Sequence, residues 1–185
     1  VPKIAEIENT PNPNAVKFIL QEPLTWGITH SYENAGQAQG VSELGAALFN
    51  IKHVTNVFYV DRWLTVTQDG EADWDELVRK IAVPIRSSPA AEEQTATTVA
   101  AATTIDISPA DKKRLDAITD LLDEQIRPYL QSDGGDLHVV GLDDNQLSVH
   151  YQGACGTCPS SISGTLRAIE NLVKSIEPDI EVVAV

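Results

Sequence analysis

The only two cysteines of this 185-residue chain form a C-x-x-C, in Gly153-Ala154-Cys155-Gly156-Thr157-Cys158-Pro159-Ser160-Ser161. Before them, Gln146-Leu147-Ser148-Val149-His150-Tyr151-Gln152 alternates and predicts a half-buried strand, with His150 on the face opposite Leu147, Val149 and Tyr151. After them, Ile162, Leu166, Ile169, Leu172, Val173 and Ile176 recur at helical spacing. The cysteines therefore fall in a tight turn between a strand and a helix start. Gly153 and Gly156 permit backbone angles that can bring both sulfurs to one point. Unpaired amides and the positive end of the helix dipole favour thiolate over thiol at such a place.

Composition narrows the surroundings of that turn. The chain carries 27 acids against 13 bases, a net charge of −14, which argues against nucleic-acid binding because that needs a basic stripe. No run approaches the ~20 apolar residues that span a bilayer, so no membrane partner is expected. Two cysteines so close together suit a reducing compartment better than a secreted disulfide framework. Val1-Pro2-Lys3-Ile4-Ala5-Glu6 has no apolar signal region, so a bacterial cytoplasm is the expected location; a processed N-terminus at Val1 would instead indicate the mitochondrial matrix or a plastid.

The length suits two small domains, and the patterning divides the chain accordingly. Residues 1–88 read as a ββαββα unit, a sheet with helices on one face. Its strands are Lys3–Asn9 and Ala15–Leu20, hinged at Thr10-Pro11-Asn12-Pro13-Asn14, then Val54–Val60 and Arg62–Thr67 around Asp61. Ser42 is the expected N-cap of a helix through Leu44, Leu48 and Phe49, and a second helix runs from Asp73 to about Ile85. Residues 22–40 read as an irregular connection, with Trp26 and Tyr32 as packing residues. Residues 89–107, rich in alanine and threonine, read as a flexible linker. Residues 108–185 read as αββαβ. Ser108-Pro109-Ala110-Asp111 starts a helix through Leu115, Ile118, Leu121, Leu122, Ile126 and Leu130, which Pro128 bends or ends. Asp133-Gly134-Gly135-Asp136 makes a turn into the strand Leu137–Val140, and Asp143-Asp144-Asn145 leads to the strand before the cysteines. Pro178 ends the last helix, and Ile180–Val185 forms a strand able to lie parallel to a neighbour. The fold class is α+β.

Three chemistries suit the turn. Cys155 and Cys158 could cycle between dithiol and disulfide, although Gly153-Ala154 stand where thioredoxin-like motifs commonly place an aromatic. They could hold zinc, which needs four ligands; the cysteines give two, and His150 or His138 could supply more. They could hold an iron–sulfur cluster, which typically needs four thiolates; one chain brings two, so two chains meeting at a symmetry axis would complete the set.

The residues also carry a family likeness. Asp133-Gly134-Gly135-Asp136-Leu137 followed by Gly153-Ala154-Cys155-Gly156-Thr157-Cys158-Pro159-Ser160-Ser161 resembles the NifU C-terminal-like domain of iron–sulfur scaffold proteins. Glu8-Asn9-Thr10-Pro11-Asn12-Pro13-Asn14-Ala15-Val16-Lys17-Phe18 and Trp63-Leu64-Thr65-Val66-Thr67 resemble the N-terminal domain of Nfu-type proteins. The resemblance implies a non-enzymatic scaffold or carrier. Such a protein binds a labile 4Fe–4S cluster, with 2Fe–2S as the alternative, between two subunits. It takes the cluster from an upstream assembly scaffold and donates it to apo iron–sulfur proteins as a homodimer. Carried over by position, Cys155 and Cys158 match the family's cluster ligands, for cofactor and metal alike. The first domain matches none, so its expected role is partner binding. One departure is visible: Ser163-Gly164 intervene before Thr165-Leu166-Arg167.

Overall fold

The computed structural model describes residues 2–89, 109–157 and 159–185. The expected linker beyond Pro89, the expected cap at Ser108 and the second cysteine, Cys158, lie outside them. The chain divides into two compact units, residues 1–99 and 100–185.

In the first unit β1 (Ile4–Asn9) and β2 (Ala15–Leu20) form the expected antiparallel hairpin. β3 (His30–Tyr32), α1 (Ala35–Ala38) and α2 (Glu43–Phe49) follow. Then come β4 (Val54–Val60), β5 (Trp63–Gln68) and α3 (Trp74–Ser87). The sheet order is β1-β2-β5-β4-β3, antiparallel throughout. Two features correct the sequence reading. Residues 22–40 hold a fifth strand and a short helix, because β3 is ordered by pairing with Val57, Phe58 and Tyr59 across the sheet rather than by its own pattern. Trp26 does not pack inside; it is 40% exposed, whereas Tyr32 is buried as expected.

The register explains why one sheet face takes the helices. Val16, Val66 and Val57 lie in one row and Phe18, Leu64 and Tyr59 in the next, all buried with Leu48, Leu77, Ile81 and Ile85 of the helices. Ser42 caps α2 as its sequence position suggests. Its hydroxyl accepts from the Gly45 N–H at 2.8 Å and meets the Tyr59 hydroxyl at 2.8 Å. Asp73 caps α3 through the N–H groups of Asp75 and Glu76.

The second unit contains α4 (Pro109–Gln125), α5 (Arg127–Ser132), β6 (Gly135–Asp143), β7 (Gln146–Gly153), α6 (Pro159–Val173) and β8 (Glu181–Ala184). The single helix expected before β6 is thus two, broken at Ile126. Pro128 has no N–H for the carbonyl of Glu124, and its ring crowds that carbonyl, so the helix restarts instead. β6 and β7 are antiparallel, while β8 runs parallel to β7 after its helical crossover. Ile118, Leu122, Leu130, Leu137, Leu147, Val149, Tyr151, Ile169 and Val173 form one core with Cys155.

Arg114 of α4 fastens the far end of this unit. It donates to both carboxylate oxygens of Glu177 at 3.1 Å and to the Asp144 carbonyl at 3.0 Å. It so ties α4 to the β6–β7 turn and to the approach of β8. At Asp144 the backbone takes φ +49, the left-handed conformation that a two-residue hairpin turn asks for.

Candidate functional site

Cys155 lies in the turn that joins β7 to α6, and its side chain points into the core rather than to solvent; the residue is 2% exposed. Its place is made by Gly135, the first residue of β6, which pairs with Gly153, the last of β7. A Cβ on Gly135 would lie 2.6 Å from the Cys155 sulfur, 2.7 Å from the Gln152 carbonyl oxygen and 2.9 Å from the Cys155 Cβ. The sulfur therefore sits in a notch that exists only because residue 135 has no side chain. Gly134 takes φ +81 and its carbonyl accepts the Ala154 N–H at 3.1 Å. Gly153 takes φ +66 and accepts the Gly156 N–H at 3.2 Å. A Cβ on Gly156 would come within 2.8 Å of the Tyr151 carbonyl. Asp133-Gly134-Gly135-Asp136 and the cysteine motif, about 20 positions apart, are one structure.

The acids and hydroxyls around it are also placed by the fold. Asp136 is 3% exposed; its carboxylate accepts from its neighbour's Leu137 N–H at 2.7 Å and from Arg127 at 3.3 Å. Burial raises its pKa above the ordinary carboxylate value, and the Arg127 charge only partly opposes this. Tyr151 projects from β7 into the core on the same face as Leu147 and Val149. Its hydroxyl oxygen is buried and has no hydrogen-bond partner among the described residues. Burial first, and negative charge at Cys155 second, push its phenol well above the usual tyrosine range.

His138 and His150 face each other across β6 and β7, on the side of the sheet away from Tyr151, and His150 Nδ1 lies 2.6 Å from the Val185 carbonyl oxygen. The cysteine points to the core side, so the sheet separates these two histidines from it. Sequence spacing could not show this, although the alternation that puts His150 outward does. Among the described residues the histidine and acid groups that come together are His53, Asp69 and Glu71, in the first unit. His53 Nδ1 lies 2.9 Å from Asp69 Oδ2 there, and His53 holds φ +79.

Comparison with known proteins places the chain with the NifU-like proteins. Residues 118–184 match the family model described as NifU-like domain, and residues 4–91 match Scaffold protein Nfu/NifU N terminal. A human protein named NFU1 iron-sulfur cluster scaffold homolog, mitochondrial, is 33% identical over 182 residues, covering 95% of this chain and 69% of its own length. The protein of the same name from Drosophila ananassae is 29% identical, covering 95% of this chain and 62% of its own length. The solution structure of a NifU-like protein from Saccharomyces cerevisiae shares 23% identity over 44% of this chain and 74% of that one, with a TM-score of 0.41. The chain belongs to the Nfu family of scaffold proteins. Among the described residues no helix is long and apolar enough to cross a membrane.

Proposed function

We propose that this chain carries an iron–sulfur cluster as cargo and passes it to apo-proteins. Cys155 and Cys158 are its ligands, and a 4Fe–4S cluster is shared between two copies. The reading is supported chiefly by the seat of Cys155: two separated glycine motifs converge to hold one cysteine at the junction of β7 and α6. Family membership supports it as well, since the relatives bear the name of cluster scaffolds. The chain contributes two thiols, and four thiolates are the usual set for such a cluster, which is why a second copy is required.

Each part of the site then has a role. The helix dipole of α6 and the amides at its start favour thiolate at the turn. Gly135 leaves the notch into which Cys155 folds, and so sets the place from which its sulfur meets the cargo. Transfer is ligand exchange: each incoming recipient thiol binds iron, the displaced cysteine leaves, and the proton of the former passes to the latter. No electron changes hands, which suits a carrier rather than an enzyme. The first unit is the part that selects donors and recipients, in a reducing compartment.

A dithiol oxidoreductase is the less favoured reading. The relatives that the chain matches bear the name of cluster scaffolds, which does not suit it. Zinc completed by His138 and His150 is less favoured because they project from the opposite face of the sheet.

Anaerobic incubation of the full chain with ferrous iron and sulfide tests the proposal. The expected product is coloured by sulfur-to-iron charge transfer, holds about four irons per two chains, and loses both on Cys155→Ala or Cys158→Ala. A single-cysteine variant that keeps the full iron complement would overturn it.

A further inference from the structure

The one buried side-chain oxygen or nitrogen left without a partner among the described residues of the second unit is the hydroxyl of Tyr151. A buried hydroxyl without a hydrogen bond is costly, and its persistence in a packed core asks for a reason. Its position supplies one. In the β6–β7 ladder Gly135 is opposite Gly153, and Leu137 is opposite Tyr151. Residues two apart on a strand share a face, so Tyr151 projects one row along from the notch in which the Cys155 sulfur lies. Both side chains belong to the same core cluster.

We propose that the Tyr151 hydroxyl is a donor reserved for the loaded state, giving its hydrogen bond to an inorganic sulfide of the bound cluster. This rests on the carrier reading above and adds a residue outside the C-x-x-C that holds and tunes the cargo. The empty protein keeps a hydroxyl without an acceptor; the arriving cargo brings the acceptor. Binding of cargo thereby relieves a cost that the apo fold carries. Hydrogen bonds to cluster sulfur raise the reduction potential, because the added electron's charge is better stabilised.

Tyr151→Phe removes the oxygen and little else, and Tyr129→Phe, at a residue 74% exposed in the same unit, is the control. Full chains are loaded anaerobically with ferrous iron and sulfide, and then challenged with an iron chelator. Tyr151→Phe is expected to reach wild-type iron content yet lose it roughly tenfold faster, as befits a lost bond to a charged acceptor. Its midpoint potential should fall, and its apo form should melt no lower than wild type, since it lacks the orphaned hydroxyl. The Tyr129 control should match wild type in all three. Release and potential unchanged in Tyr151→Phe would overturn the role of the hydroxyl while leaving the carrier reading standing. A lower apo melting point would also overturn it, by showing that the hydroxyl is already satisfied without cargo. A wild-type chain that takes up no iron would overturn both.

Discussion

Gly135→Ala is the substitution that the site geometry singles out. Its added methyl meets three atoms closer than 3.0 Å, and one of them, the Gln152 carbonyl oxygen, belongs to the backbone of β7. Rotation of Cys155 relieves only the 2.6 Å contact with the sulfur; the 2.7 Å contact with the carbonyl needs β6 and β7 to part where Gly135 pairs with Gly153. Overpacking of this kind costs about 1–3 kcal/mol, and a clash with backbone belongs at the upper end. Alanine recovers about 0.5–1 kcal/mol by restricting the unfolded chain, which leaves a net loss of about 2 kcal/mol. For a domain of this size that lowers the melting midpoint by roughly 8–16 °C. The assay is thermal unfolding of the full chain followed in the transition of the second unit, with thiol labelling of Cys155 in a Cys158→Ser background as a second reading. Labelling should quicken as the sulfur is driven from its notch. Gly164→Ala, inside α6 with nothing within 4 Å of the new methyl, should instead stabilise by about 0.5–1 kcal/mol. A Gly135→Ala chain that melts at or above wild type, with Cys155 as protected as before, would refute the notch.

Three further perturbations test the scaffold. Ser42→Ala should destabilise the first unit by about 1 kcal/mol, seen as a lower melting midpoint, because it removes the α2 cap and a partner of the buried Tyr59 hydroxyl. Burial lowers the pKa of His30, stacked on Tyr59 with ring centres 4.7 Å apart, below its ordinary 6.5. The unfolded chain therefore binds the proton more readily. Stability from this group is complete above about pH 6.5 and is lost as pH falls from there through the folded value; denaturant midpoints should show that slope, and His30→Gln should flatten it. Arg114→Met should lower the melting midpoint of the second unit by freeing Glu177 and the Asp144 carbonyl, and the difference should shrink in high salt because the guanidinium is partly exposed.

Much of this architecture is written in local chemistry. The Ser42 and Asp73 caps, the Thr10–Asn14 turn and the alternation before Cys155 each act within a few residues, so composition and period reveal them. What escaped notice depends on partners far along the chain. β3 has three residues and no period, and only pairing with β4 makes it a strand. Pro128 shows that the helix is interrupted, but not that the break falls at Ile126. Gly134 and Gly135 look alike as turn glycines. The structure separates them: Gly134 is needed for its φ of +81, Gly135 for the closeness of Cys155. The histidines were visible as candidate ligands, whereas their separation from the cysteine by the sheet follows from the β6–β7 register. Tyr151 read as one more core residue, since an orphaned hydroxyl is a property of packing and leaves no mark on sequence.

The most direct test of the account is the mass of the loaded protein, measured by native mass spectrometry on the anaerobically reconstituted full chain. A single ion reports both the number of chains and the inorganic content. The account predicts two chains plus one 4Fe–4S cluster, with bare single chains after chelation or in Cys155→Ala. One chain carrying a whole cluster, or a dimer that forms without iron and gains none, would contradict it.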